Sequence, residues 1–336
     1  MTSSFTNRSA SITSFKTVNG QELALKFDNV ANYASKHNQF LGSSIGRVAN
    51  RIYGGGFEAA GKFWELPCND NKGELKVTLH GGHQGWDKRD WEGPFEETRA
   101  DGKKSVVYKI HSAHLDQGFP GTVDARAIYT PYIEGEKAYL EIEYEAELTD
   151  DTPIDETVVS LTNHNFFNLT GNFDSYDGTQ IKIFSTKSIH HDPKTTECTG
   201  TFVTDSIVPT DQSFFTLTKD APFIDKAYET YDVNDFKQLD TRFRDPQPVV
   251  HMFHPRSKVH LQILTTEPVF QVYTGDGMKV PVLEGETVGH PGRSGVAVEP
   301  ARPTNAANYP HWRQWVNLKK GDKWGSKTVY VNWVEK

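Results

Sequence analysis

Apolar and polar residues alternate with period two through much of this chain. From Tyr139 to Leu148 every even position is apolar and glutamate fills most odd ones. On a pleated strand this sorts Leu140, Ile142, Tyr144 and Leu148 onto a core face and turns the glutamates to water. Shorter runs of the same kind are Ser105 to Ile110, Lys258 to Leu264, Val269 to Tyr273, Gly295 to Val298 and Thr328 to Trp333. Turn-forming clusters separate them, among them Gly54-Gly55-Gly56, Thr149-Asp150-Asp151-Thr152-Pro153 and Asp245-Pro246-Gln247-Pro248. No segment carries a helical period over several turns. The stretch Ala221 to Leu239 reads as one or two short helical turns, with Asp225 and Asp235 as caps. Many closely spaced strands and few helices predict an all-β sandwich or closed β architecture. No linker, repeat or shift in composition divides residues 1–336, so one domain is expected.

Composition narrows the function classes. Hydrophobic residues make up 36% and aromatics 12% of the chain, enough for a packed core. A net charge of -8 without a basic block excludes electrostatic nucleic-acid binding. No apolar run reaches membrane-spanning length. The opening MTSSFTNRSASITSF lacks the apolar core of a signal peptide. A cytoplasmic location is therefore expected, with secretion requiring a leader removed from this sequence. Cys68 and Cys198 are too few for a disulfide framework or a metal quartet. They read as free thiols of a reducing compartment, with a single bridge as the arithmetical alternative. Sequence says nothing of oligomeric state.

Four segments break the strand pattern by mixing polar groups with glycines and aromatics, as functional sites do. In Gly46-Arg47-Val48-Ala49-Asn50-Arg51-Ile52, a strand would place Arg47, Ala49 and Arg51 on one face. Guanidinium forks there suit sugar hydroxyls, or else pair with buried carboxylates. In Leu79-His80-Gly81-Gly82-His83-Gln84-Gly85-Trp86, the glycines let backbone approach a ligand closely. Trp86 and Trp91 would offer a platform to a pyranose ring. His80 and His83 have a spacing found in some metal sites, but no third ligand follows in register, so no metal is expected. In Thr162-Asn163-His164-Asn165-Phe166-Phe167, a histidine sits in apolar surroundings that tune its protonation, or is a satisfied core residue. In Val296-Ala297-Val298-Glu299-Pro300, an apolar strand ends on a carboxylate before a proline. Glu299 either projects into a site or pairs with Arg302.

Taken in order, GRVANRI, LHGG with WDKRDW, TNHNFFNLTG and PVFQVYTG resemble the motifs of the aldose 1-epimerase (galactose mutarotase) family, from about Ser11 to the C-terminus. The resemblance implies a single-domain antiparallel β supersandwich with few short helices. It implies an isomerase that opens a free hexose and recloses it on the other face of C1, with no cofactor. Carried over by motif, Glu299 corresponds to the general base and His164 to the general acid. His80 corresponds to a second histidine at the ring oxygen. Arg51, Asn50 and Gln271 correspond to substrate-binding residues. The setting VEPARP departs from the family's LETQ-type sequence. The family's site aspartate, usually in a GFDH-like motif, has its nearest equivalent in Asp240. The segment ahead of GRVANRI is short for the family, so first strands that are abbreviated or absent are expected.

The chemistry implied is a proton taken from the C1 hydroxyl by a carboxylate while an imidazolium supplies one to the ring oxygen. The partner is then a small-molecule hexose. Competing readings are a sugar-phosphate epimerase, for which Lys88, Arg89 and Arg302 would supply basic groups, a glycoside hydrolase using Asp240 and Glu299, and a non-catalytic carbohydrate-binding protein of the same fold.

Overall fold

The glutamate-rich run becomes the strand Lys137–Leu148, central to a nine-stranded antiparallel sheet in the computed structural model, which describes residues 2–70, 73–231 and 238–336. It lies between Val123–Glu134 and Trp324–Val334, and outward from the latter follow Val259–Thr265, Gln247–His254 and Gln180–Ile183. Leu140, Ile142, Tyr144 and Leu148 are buried as the alternation requires. One glutamate departs from the expectation. Glu141 is buried because Arg99 pairs with it at 2.5 Å and the Tyr132 hydroxyl donates to it at 2.9 Å.

A second, six-stranded sheet has the order Phe166–Phe167, Val296–Ala301, Val269–Tyr273, Asp225–Glu229, Lys187–His191, Cys198–Thr204. Its pleat separates two chemistries. Gln271 stands between Ala227 and Glu299 in the ladder, and Tyr273 stands between Asp225 and Ala297. The opposite face carries Phe270, Val272, Val296 and Val298, which share one buried cluster with Leu140, Ile142, Leu261 and Ile263 of the larger sheet. Phe167 and Tyr330 meet edge-on across the two sheets, 5.0 Å between ring centroids.

Three local expectations change. Asp225–Glu229 is a strand, so Asp225 caps no helix, and Asp235 lies outside the described residues. GRVANRI is a strand only from Arg51 onward, and its arginines diverge. The buried Arg47 guanidinium donates to the carbonyls of Ser112, Pro120 and Gly121 at 2.8–3.1 Å, which makes it a clamp on that loop. The segment ahead of it is not stripped of strands, because Ser3–Thr6 and Ser11–Phe15 form a hairpin that buries Ile12 and Phe15. Among the described residues the one α-helix is Pro310–Arg313, and no helix is long and apolar enough to cross a membrane. Both cysteines are unpaired.

Arg302 is the polar anchor of this interior. Its side chain is fully buried, pairs with Glu267 at 3.2 Å, donates to the carbonyls of Leu239 and Gly325, and lies over the Trp324 ring. Glu299 therefore does not need it. Replacing Arg302 with Leu would strand the Glu267 carboxylate in the core, and the expected loss in urea unfolding is about 3–5 kcal/mol. A double Arg302→Leu/Glu267→Leu change should recover a large part of it. No recovery would mean that the carbonyl contacts carry the effect instead.

Candidate functional site

The polar face of the six-stranded sheet forms the floor of a cleft of about 210 Å³. Glu299, Gln271, Tyr273 and Asp225 come from adjacent strands of that sheet. His164 enters from the strand Thr162–His164, which pairs with Ser43–Ile45. His80, Asn50 and Arg51 complete the walls. Six of the seven residues expected from sequence thus converge.

His164 and Glu299 are both buried, with Nε2 of the imidazole 3.4 Å from Oε1 of the carboxylate. Burial disfavours each charged form. It pushes Glu299 up to about 8, helped by the charge of Asp225 and opposed by Arg51, and holds His164 down to about 4. Between these limits the pair carries one proton. That proton can sit on Glu299, giving two neutral groups, or on His164, giving an ion pair.

His80 is held differently. Asn50 and His80 both adopt left-handed backbone, φ 57° and 50°. The His80 N–H donates to the Asn50 carbonyl at 2.9 Å, and the Asn50 N–H donates to His80 Nδ1 at 3.2 Å. The turn needs Gly81, because a Cβ there would lie 2.1 Å from the Gly46 carbonyl oxygen. Burial, with the positive fields of His164, Arg51 and Lys88, keeps His80 well below the ordinary histidine range. A neutral ring whose Nδ1 accepts a bond carries its proton on Nε2. His80 is therefore a hydrogen-bond donor.

This bears on metal binding. Ligand atoms of His80, His164 and Glu299 lie within 4.8 Å of one another. A metal-ligating histidine presents a lone pair and donates from its other nitrogen, whereas His80 has the reverse arrangement. The set fits proton transfer better than a metal. His83, the partner suggested by spacing, is exposed and is not among the groups gathered there.

The remaining polar groups form a chain. Asn50 Nδ2 donates to Gln271 Oε1 at 3.2 Å, and Gln271 Nε2 donates to Asp225 Oδ1 at 2.6 Å. Arg51 Nε donates to Asp70 at 2.6 Å. Asp225 was missed as a site residue. The run Asp225-Lys226-Ala227-Tyr228-Glu229 buries both Ala227 and Tyr228, so alternation was blurred and only pairing with Val269–Tyr273 sets its register. Asp240, expected in this place, does not line the cleft. It bonds Arg242 at 2.6 Å and bridges to Gly325. Trp86 and Trp91 are likewise no platform, being buried edge-to-face against each other at 5.9 Å. Phe40, Phe166 and Tyr273 supply the cleft's aromatic faces.

The basic groups suggested for a phosphate are committed elsewhere. Lys88 donates to the His83 carbonyl, Arg89 pairs with Asp116 and Arg302 with Glu267. The cleft is lined, among the described residues, by one permanent cation, Arg51, already bonded to Asp70.

A family model described as aldose 1-epimerase matches residues 1–331. The bifunctional protein GAL10 of Pachysolen tannophilus is 35% identical over 97% of this chain and 45% of its own length. The chain thus spans less than half of that relative. The galactose mutarotase of Sus scrofa is 29% identical, covering 92% of this chain and 83% of its own. Among solved structures, a GalM/aldose epimerase homologue from C. elegans superposes with a TM-score of 0.79 at 24% identity, over 99% of this chain and 96% of the other. That last likeness speaks to fold.

Burial of Glu299 has a consequence for stability. The unfolded chain releases this proton near 4.5 and the folded one near 8. Between these values the folded state binds more protons, so stability falls as pH rises through that window. Glu299→Gln removes the effect. Its melting temperature relative to the parent should rise steadily from pH 5 to pH 8, and a difference independent of pH would contradict the buried, protonated carboxylate.

Proposed function

The chain belongs to the aldose 1-epimerase family, whose members are isomerases, and we propose that it interconverts the α and β anomers of a free hexose, galactose first, without a cofactor. The observation that carries this reading is the buried His164–Glu299 pair, 3.4 Å apart, beside polar side chains suited to sugar hydroxyls. Galactose is favoured by the name of the Sus scrofa relative.

Ring opening takes a proton from the C1 hydroxyl and gives one to the ring oxygen. Starting from the ion pair, Glu299 accepts the first proton and His164 donates the second, leaving both side chains neutral. Reclosure on the other face of C1 reverses both transfers and restores the ion pair. The two placements of the pair's single proton are thus the two ends of one catalytic cycle, and no net proton enters or leaves. His80 donates from Nε2 toward the ring oxygen. Arg51, Asn50, Gln271 and Asp225 hold the hydroxyls while the C1–C2 bond rotates.

A phosphorylated sugar would set its dianion near Asp225 with no uncommitted cation in the cleft wall. A hydrolase pairing Asp240 with Glu299 lacks its first member. A binding module has no use for a buried one-proton pair, which costs stability unless chemistry requires it. Residues 1–336 acting as one domain, and a cytoplasmic site of action suited to two unpaired cysteines, are parts of the same proposal.

Polarimetry on freshly dissolved α-D-galactose and α-D-glucose in EDTA tests the reading. Accelerated mutarotation is expected, and activity abolished by chelation would overturn the cofactor-free mechanism. Glu299→Gln should lose roughly 10²–10⁴-fold and His164→Asn roughly 10²-fold or more in kcat. Asp225→Asn should lower kcat/KM roughly tenfold or more, with Asp240→Asn near the parent value; the opposite ranking would restore Asp240 to the site. The kcat/KM profile should be bell-shaped. Below about 4 the pair gains a second proton and has no base, and above about 8 it loses its only proton and has no acid.

A further inference from the structure

Phe40 belongs to no motif and no strand, yet it touches both histidines of the site. Its backbone sits at φ 67°, a conformation that costs a bulky residue and persists only when its surroundings impose it. The imposing contacts come from the strand of His164 and from the turn's own closing bond. The Gly42 N–H donates to the His164 carbonyl at 3.1 Å, Asn163 Nδ2 donates to the Gly42 carbonyl at 2.8 Å, and the Ser43 N–H donates to the Phe40 carbonyl at 3.0 Å.

The turn so fixed delivers the ring onto the site. Phe40 stacks on His164 with centroids 5.2 Å apart and planes inclined by 30°, and meets His80 edge-on at 4.8 Å. Phe166 covers a further side of His164 at 5.0 Å. Phe40 also packs against Ile45, Ala49 and Ala301. Meanwhile Nδ1 of His164 is buried with no hydrogen-bond partner outside its own residue. The usual device for orienting such a ring, a bond from another residue to its second nitrogen, is absent here.

We propose that Phe40 is the positioning residue of the site: with Phe166 it aims the His164 imidazole at Glu299 by packing and keeps water from the pair. This rests on the reading of His164 and Glu299 as the acid–base pair. A second pocket of about 240 Å³, lined by Tyr33, Ser35, Asn38 and Lys88, shares the Phe40 ring as a wall with the cleft. Truncating the ring joins that cavity to the cleft and hydrates the pair. The groups facing it then keep their places: Glu299 and His80 beside His164, Asp225 and Arg51 beside Glu299, and Lys88 near His80. Hydration alone then drives His164 upward and Glu299 downward toward ordinary values.

The test compares the parent with Phe40→Ala and the better-filled Phe40→Leu. The His164 ring proton is titrated by NMR, with His164→Asn giving its assignment, and mutarotation is followed in parallel. In Phe40→Ala the His164 midpoint should move up by roughly one unit or more. The kcat/KM bell should narrow from both sides. The kcat should fall roughly tenfold or more, and by a larger factor than KM rises, because loss of the ring disorients the acid while Phe166 and Tyr273 still line the cleft. Phe40→Leu should lie between, and it carries the test if the alanine variant does not fold. An unmoved His164 midpoint, or a raised KM with unchanged kcat, would overturn the assignment. The titration reads the packing whether or not the protein turns over sugar. Inactivity of the parent on every free hexose would sink the proposed function, while a moved midpoint would still support the packing role.

Discussion

The pleat of the six-stranded sheet is the constraint from which the rest follows. Along Val269–Tyr273, successive side chains alternate between a core built with the nine-stranded sheet and a cleft open to a ligand. Phe270 and Val272 secure the sandwich, while Gln271 and Tyr273 face the cleft. The same rule on Val296–Ala301 turns Val298 inward and Glu299 outward. A one-residue slip of either strand would exchange core for site, so the apolar face that stabilises the fold also fixes the register of the chemistry. Pro300 is tolerated because Phe166–Phe167 pairs only with Val296 and Ala297, leaving the strand an edge beyond them.

Two buried carboxylates show how differently such a group can be used. Glu267 faces a guanidinium that also bonds two carbonyls and lies over an aromatic ring. It knots strand ends together and has no ligand-facing side. Glu299 faces an imidazole, a partner whose own charge depends on where one proton sits. Both carboxylates are raised by burial, Glu267 to about 7 and Glu299 to about 8. A permanent cation fixes the first as structure. A titratable partner leaves the second able to exchange its proton with the imidazole, with burial favouring the neutral arrangement over the ion pair.

The two histidines of the cleft are held by unlike forces, and the differences assign roles. His80 is fixed through backbone hydrogen bonds from a strained two-residue clasp, which settles its tautomer as a donor. His164 is fixed by rings on its faces and by Glu299, with its other nitrogen unpartnered outside its own residue. A hydrogen bond there would have stabilised one protonation state over the other; aromatic packing restrains orientation while favouring neither proton position beyond the effect of burial.

Alternation and turn chemistry by themselves determined the all-β class, the long strands near Lys137–Leu148 and Val269–Tyr273, and the breaks where polar groups collect. Those signals are local, set by the two-residue period and by glycines and prolines whose backbone needs are read directly. Ordered motifs likewise pointed to His164, His80, Arg51, Asn50 and Gln271, and an apolar strand ending before a proline pointed to Glu299; all six line the cleft. What sequence could not decide was which residues from separate strands become neighbours. Asp225 reaches the site only because its strand pairs in one register with Val269–Tyr273, and Asp240, similar in type and fifteen positions later, is drawn off by Arg242. Trp86 and Trp91 carry the composition of a sugar platform but bury against each other, while Phe40, with no motif to mark it, takes a place over His164 through hydrogen bonds to a strand more than a hundred residues away. Pairing register and ring burial are properties of the assembled sheets, since they depend on free energies shared among segments far apart in the chain.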